Sequence, residues 1–392
     1  MKNPFLLTLL VQLVSLPAFS QTSPPYFSLE FLEVNAQAQS KSLGDVGVVA
    51  PGNDLHAASQ QNPALLIRDF RQIDFNLKYM PWVRLQGATH FFLEVGGMCN
   101  FNERHAFGLN LKYLSDGQLK IPVTGARSDY VVSMSYAYRF APKWTAGTSY
   151  KLIRNDVLSS DGSIGVSSSA VDLGVHHEDV KTLLEGRSLR WQIGLALTNL
   201  GSQVDLSPLY PVRNLHNYLP TTFKAGLLLS TRRKKGNQYS FSWSVAYQFD
   251  KRLVPLPNTV DADNNGEYDY LAWHPVQAMW RSLLDAPGGW RGELGELIHK
   301  AGLEYRIDDH QYQLALAFRF GYQTATDARY LRSNISAGMA IHLRNFYIDL
   351  SYVNSLNPEQ PIFENTVLFS LGSRRLLTNS QQESEELVLS LL

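Results

Sequence analysis

Residues 238–250 read Gln-Tyr-Ser-Phe-Ser-Trp-Ser-Val-Ala-Tyr-Gln-Phe-Asp. Side chains in a strand alternate faces, so Tyr239, Phe241, Trp243, Val245, Tyr247 and Phe249 form one apolar stripe, and Ser240, Ser242, Ser244, Ala246 and Gln248 form a small, polar one. The pattern recurs in Tyr130, Val132, Met134, Tyr136 and Tyr138 against Val131, Ser133, Ser135, Ala137 and Arg139. It recurs again in Tyr312, Leu314, Leu316, Phe318 and Phe320 against Gln313, Ala315, Ala317 and Arg319. Each stretch is about 9–12 residues long, the length at which a tilted strand crosses a bilayer. Arg139 and Arg319 fall on the polar face, which in a closed barrel is the lumen. The expected fold is all-β: a fourteen-stranded antiparallel transmembrane barrel.

Composition narrows the alternatives. Lys plus Arg and Asp plus Glu both number 35, a balance that gives a nucleic-acid partner no support. Nineteen Tyr and nineteen Phe supply the aromatic girdles such a wall needs at both interfaces. A single cysteine, Cys99, rules out an intramolecular disulfide framework or a cysteine-rich metal site. Lys2, the apolar run Phe5 to Leu16 and the small-x-small site Ala18-Phe19-Ser20 read as a signal peptide, residues 1–20, cleaved near Ser20. That apolar run is too short to span as a helix, and export without a spanning helix favours a closed barrel in the outer membrane.

Candidate strands fall at about 70–80, 88–100, 104–115, 129–140, 144–154, 168–177, 190–200, 221–230, 238–250, 298–308, 311–322, 332–343, 346–355 and 363–371. Short links follow strands 2, 4, 8, 10 and 12, a moderate one spans 178–189, and long links follow strands 3, 5, 7 and 9. Such barrels turn tightly in the periplasm and loop widely outside, and an even count returns both ends of the wall to the periplasm. The barrel is therefore expected over 70–371. Residues 21–69 are expected to fold back as a lumen plug around Gly44, Asp45, Asn62 and Pro63, and 372–392 to form a polar tail. The longest external loop, 251–297, carries an amphipathic stretch from Val276 to Leu284 that ends at Pro287-Gly288-Gly289 and predicts a short helix.

Three motifs each admit a second reading. Asp261, Asp263, Asn265, Gly266 and Asp269 match the first nine positions of a calcium loop; position twelve is Ala272 in place of the bidentate Glu, so an acidic solvated turn competes with a Ca2+ site. His176-His177-Glu178 and His90 are the nearest approach to catalytic groups, but no nucleophile, base and orienter fall into readable roles, and no enzyme is expected. Thr231-Arg232-Arg233-Lys234-Lys235-Gly236 is a basic hairpin turn, solvated or set against anionic outer-membrane lipid or a periplasmic partner. No other cofactor is indicated.

Several runs outside the alternating strands carry a family resemblance: Leu43-Gly44-Asp45-Val46-Gly47-Val48, Asn62-Pro63-Ala64, Met80-Pro81-Trp82-Val83-Arg84, Asn199-Leu200-Gly201-Ser202, Leu219-Pro220-Thr221, Leu253-Val254-Pro255 and Glu364-Asn365-Thr366. The most specific is Asp285-Ala286-Pro287-Gly288-Gly289-Trp290, with Glu293 following. In this order they resemble FadL-like barrels, specifically the PorV family of the type IX secretion system. Ala38-Gln39 and Gln61 depart from the family's Ala-Arg pair and its Trp. The resemblance implies a non-catalytic barrel that takes secreted proteins, by their C-terminal sorting domains, from the type IX translocon and delivers them to a sortase-like attachment protein. Asp285, Pro287, Gly288, Gly289 and Trp290 are the partner-binding residues this reading expects. The alternative is a FadL-like channel for hydrophobic small molecules.

Overall fold

The computed structural model describes residues 28–51, 59–67, 72–85, 88–115, 127–159, 162–183, 186–207, 216–256, 268–286, 289–324, 333–356 and 365–376. The expected signal peptide, most of the polar tail, and the candidate positions Asp261, Asp263, Asn265, Pro287 and Gly288 lie outside these residues. In chain order the strands are β1 (Gln72–Leu85), β2 (Ala88–Asn100), β3 (His105–Ser115), β4 (Arg127–Ala141), β5 (Trp144–Ser159), β6 (Gly162–Thr182), β7 (Arg187–Gly201), the two-residue β8 (Val204–Asp205) and β9 (His216–Asn217), β10 (Thr222–Lys235), β11 (Tyr239–Arg252), β12 (Ile298–Asp309), β13 (Leu314–Thr324), β14 (Asn334–Leu343), β15 (Phe346–Ser355) and β16 (Thr366–Leu376). Among the described residues three short α-helices accompany them: α1 (Ala38–Ser42), α2 (Pro275–Arg281) and α3 (Trp290–Gly295).

β1–β7 and β10–β16 close into one antiparallel barrel, with β1 hydrogen-bonded to β16; β8 and β9 pair separately. Closure leaves no open edge in the ring of strands, the condition for a sheet in lipid. The register places Trp243, Val245, Leu303, Phe318, Phe320, Met339 and Leu350 on the exposed outer face and buries Ser240, Ser244, Gln248, Glu304, Arg319 and Asp349 within. The buried charges are paired: Arg319 bonds Glu304 at 2.7 Å and Asp349 at 2.5 Å, and Lys78 bonds Glu94 at 2.9 Å. An aromatic girdle marks the short-turn rim, where the ring of His177 lies 4.5 Å from both Trp144 and Trp191.

The wall departs from the expected boundaries at several strand ends: β10 runs through the expected basic turn to Lys235, paired with β11 as far as Tyr239, and five others have local reasons. β1 continues past Met80 to Leu85 through Pro81; a register shift between Trp82 and Arg84 absorbs the irregularity that reads as a strand end. β5 and β6 run to Ser159 and from Gly162, so the expected long link is a paired hairpin whose serine-rich sequence hides the alternation. β6 extends through the charged run to Thr182, because Glu178 meets Arg190 at 2.7 Å and Asp179 meets Lys143 at 2.8 Å across the strands. Tyr312 belongs to a turn, since the Asp309 carboxylate accepts from the Gln311 and Tyr312 amides at 3.0 and 3.2 Å, and Gln313 has φ 50°. The wall ends at Leu376, five residues beyond the expected Leu371: Gly372 pairs with Tyr347, and Arg374 reaches Asp74 at 3.2 Å.

Phe318 sits near the middle of β13, facing outward, with Ala317 facing the lumen. Phe318→Arg is expected to cost about 2–4 kcal/mol at the bilayer midplane. Phe318→Leu is expected to fold nearly as well as the parent. Folding yield into lipid, read by heat-modifiable migration, checks the difference.

Candidate functional site

The lumen is filled by the chain's own N-terminal segment. At the long-loop end the Ser28 amide donates to the Tyr218 carbonyl at 2.9 Å, and Leu29, Phe31, Ala36 and Ala38 pack with Met80, Phe92, Leu114, Val131, Leu219 and Leu368. The segment then runs down the lumen to the short-turn end, where Leu65 and Ile67 border an open vestibule of about 570 Å³. Asn62 lies on the way, capping the 3-10 turn Pro63–Leu66: its side chain accepts from the Ala64 amide at 3.1 Å and donates to the Val48 carbonyl at 3.0 Å.

Contact with the wall is made backbone to backbone. Gly147 pairs with Gly174, Gly194 with Gly226, and Gly302 with Gly321 across neighbouring strands. A Cβ on Gly147 would lie 2.4 Å from the Pro63 carbonyl carbon, and one on Gly194 only 2.1 Å from the Val48 oxygen. One on Gly321 would lie 1.8 Å from the Gly44 nitrogen. Gly44 itself has φ +70° and could not carry a side chain, because its Cβ would meet the Tyr322 oxygen at 2.5 Å. Strand alternation alone does not reveal these plug-contact positions; glycine in a strand interior, opposite another glycine, is their signal.

Wall side chains satisfy the segment's polar groups. Gln248 Oε1 accepts from the Gly47 and Val48 amides at 2.8 and 2.9 Å, Gln192 Oε1 from Ala50 at 3.2 Å, Ser336 Oγ from Gly44 at 3.2 Å and Ser370 Oγ from Ala38 at 3.1 Å. Asp45 is held by Lys300 at 3.0 Å and Lys41 at 3.4 Å, and Lys300 also bonds Asp250 of β11 at 2.8 Å. Glu33 accepts two bonds from Arg252, both 2.9 Å. Pairing of this kind offsets the cost of burying charge, whereas breaking one partner leaves an uncompensated ion.

The loop between β11 and β12 takes two directions. α2 lies over the mouth, its Ala278 packed with Tyr218, Val254 and Tyr270. α3 instead leans on the outside of the wall. Lys251 follows Trp243, Val245, Tyr247 and Phe249 on the outward register of β11, yet only 6% of it is exposed, because Glu293 and Glu296 cover its ammonium. Asp285 closes the same knot: its carboxylate accepts from the Leu256 amide at 2.7 Å, while Glu293 accepts from Ala286 at 2.8 Å. Burial lifts the Glu296 carboxyl to about 7, with Glu293 and Asp285 adding to the rise against the pull of Lys251, and burial lifts Asp285 as well. Among the described residues, Asp285, Glu293 and Glu296 are the carboxylates close enough to share a cation, and the Lys251 ammonium bonds two of them. Gly289 has φ 65° and open space around it, and Trp290 is 68% exposed.

The remaining candidates are not brought together. Asp269 opens a 3-10 turn, Asp269–Ala272, while the other calcium-loop positions fall outside the described residues. His176 lines the vestibule and His177 sits in the outward girdle, so alternation puts the two on opposite faces. The basic run ends β10 at the short-turn rim, where Arg232 donates to Ser240 Oγ at 2.9 Å and Gly236 turns with φ 63°.

Two outcomes follow from this geometry. Gly321→Val is expected to displace Gly44 from β13 while leaving a closed barrel. Labelling of a cysteine at Ser42 should then rise sharply with heat-modifiability retained, and unchanged labelling would show that the wall yields instead. Because Glu296 holds its proton more tightly folded than unfolded, the α3 contact is expected to be firmest near pH 4.5 and to loosen as pH rises through about 7. Hydrogen exchange at the Leu256 and Ala286 amides, corrected for intrinsic rates, measures this, and Glu296→Gln should flatten the dependence.

The family described as type IX secretion system protein PorV matches residues 25–259. No curated protein matches the chain significantly. Among solved structures, the chain is similar to the Ralstonia pickettii toluene transporter TbuX (13% identity, 87% of this chain and 98% of that one covered, TM-score 0.42). It is also similar to the CymD monoaromatic hydrocarbon channel (12%, 90% and 100%, 0.46) and to a Pseudomonas aeruginosa FadL homologue (10%, 91% and 100%, 0.43). A closed fourteen-stranded barrel with a lipid-facing outer wall is an outer-membrane architecture, the family match runs from the plug segment through β11, and the chain belongs to the PorV family of type IX secretion proteins.

Proposed function

We propose that this chain is a non-catalytic barrel that binds proteins leaving the type IX translocon by their C-terminal sorting domains and delivers them to a sortase-like protein for surface attachment. The filled lumen carries the reading. The N-terminal segment touches the wall where its glycines leave no space and is pinned by ion pairs at Asp45 and Glu33. A barrel whose lumen is crossed and pinned by its own segment is poorly suited to conducting hydrophobic small molecules, the alternative a FadL-like fold suggests, because the apolar part of its inner face is already covered by Leu29, Phe31, Ala36 and Ala38. What remains for function is the outer surface: the loops of the mouth and the wall that slides in the membrane plane. Asp285 and Trp290, with the intervening Pro287, Gly288 and Gly289, are proposed to meet a membrane partner laterally. The acidic run Asp261, Asp263, Asn265 and Asp269 stays a candidate Ca2+ loop by sequence.

Affinity purification from native membranes in mild detergent tests the reading; exported proteins with a sorting domain, or translocon subunits, are expected with the barrel. Trp290→Ala is expected to reach the membrane at normal levels and to weaken retention roughly thirtyfold, the effect of losing about 2 kcal/mol at an aromatic anchor. Ligand-dependent uptake of small apolar compounds by proteoliposomes, without such partners, would favour the channel instead.

A further inference from the structure

The position of α3 outside the wall decides what its exposed side meets. Glu293 and Glu296 point at Lys251, whose outward register places it at the long-loop rim, one step beyond Phe249 and paired with Phe223 on β10. The rings of Phe223 and Phe249 lie 6.3 Å apart on that same outer face. The helix is therefore an extension of the lipid-facing wall at its external border. On its free side Trp290 is 68% and Leu294 53% exposed, one turn apart.

α2 and the turn after it add a second stripe. Val276, Trp280 and Leu284 recur every four residues; Trp280 is 63% and Leu284 85% exposed, while Ala278 and Ser282 face inward and are buried. Arg291 lies over the Trp290 ring at 5.5 Å, and Arg281 over Trp273 at 4.2 Å. Trp beside Arg, on short helices flanking an apolar band, matches the chemistry of the headgroup region, where indole rings sit among lipid carbonyls and guanidinium groups meet phosphate.

We infer that Leu284, next to the Asp285 knot, and α3 form an interfacial collar, seating Leu284, Trp290 and Leu294 in the outer leaflet beside β11 and β12. The occupant is lipid because the surface is continuous with the wall that lipid already covers. A membrane partner approaching there displaces lipid, which is the ordinary condition for lateral docking. The collar stands apart from the secretion reading and requires only that the barrel spans the membrane.

The test uses the full chain in a Cys99→Ser background with single cysteines, each carrying an environment-sensitive fluorophore, at Leu284→Cys, Leu294→Cys, Phe318→Cys and Asp205→Cys. The proteins are reconstituted into vesicles of phosphatidylethanolamine, phosphatidylglycerol and lipopolysaccharide, with nitroxide lipids spin-labelled near the top or near the end of the acyl chain. Heat-modifiable migration confirms each barrel has folded, and Phe318 and Asp205 set the lipid and water limits. Leu284 and Leu294 are expected to be quenched roughly threefold or more over Asp205, and best by the shallow label. Quenching at the Asp205 level overturns the inference while Phe318 still reports an inserted barrel. It is likewise overturned if the two positions leave water only when purified translocon or cargo is added, since the collar is then a protein-docking surface.

Discussion

A backbone can rest directly on the face of a strand only where that face carries no Cβ, and that constraint organises this molecule. A barrel of fourteen strands encloses more space than its inward side chains fill, and here the chain's own first segment occupies much of the remainder. The segment does so at the closest range the chemistry permits, over the glycine pairs Gly147–Gly174, Gly194–Gly226 and Gly302–Gly321. Each pair removes two adjacent side chains from the inner face, leaving shallow steps on which Pro63, Val48 and Gly44 rest. Glycine weakens a strand through entropy and lost packing. Here the weakness is offset by contact with the plug, so wall and plug stabilise each other and neither has its full stability alone.

Close approach creates a polar problem that the lumen solves locally. A plug with only short helical turns brings unsatisfied amides into a space with little water, and each costs free energy unless it finds an acceptor. Gln248, Gln192, Ser336 and Ser370 are inward residues of four different strands, and each accepts one or two of those amides. The charges follow the same logic. Asp45 and Asp250 share Lys300, and Glu304 and Asp349 share Arg319, so acids on neighbouring elements converge on single cations. Such networks favour one register, because a strand slipped by one residue would send its charged set into lipid.

Much of the wall was legible because alternation and loop parity are imposed by the bilayer. Tyr239 to Phe249 is a clear case: the lipid face must be apolar at every second position, and nothing in the plug relaxes that demand. The boundaries that sequence misplaces are those where another interaction replaces the alternation. Cross-strand ion pairs carry β6 through Glu178 and Asp179, a bulge carries β1 past Pro81, and serines lengthen the β5–β6 hairpin. In the plug, Gly44, Asp45, Asn62 and Pro63 stand out as turn formers, but the glycines they rest on lie more than eighty residues away and face the plug only when it folds back into the barrel.

Lys251 is the residue whose meaning changes most between sequence and structure. By alternation it sits on the lipid-facing register, where a cation is expensive and where, near a rim, a lysine ordinarily extends toward headgroups. Here the loop returns its own carboxylates to cover it, so the exception to the pattern becomes the anchor for a helix outside the barrel. Three acids around one lysine leave an excess of negative charge, which burial relieves by raising Glu296 into the neutral range. The segment is thereby fixed to the wall by a contact that weakens as its protons leave, unlike the plug, whose ion pairs are balanced. The barrel thus has a rigid interior and a more labile outer attachment, and the labile part carries the exposed Trp290.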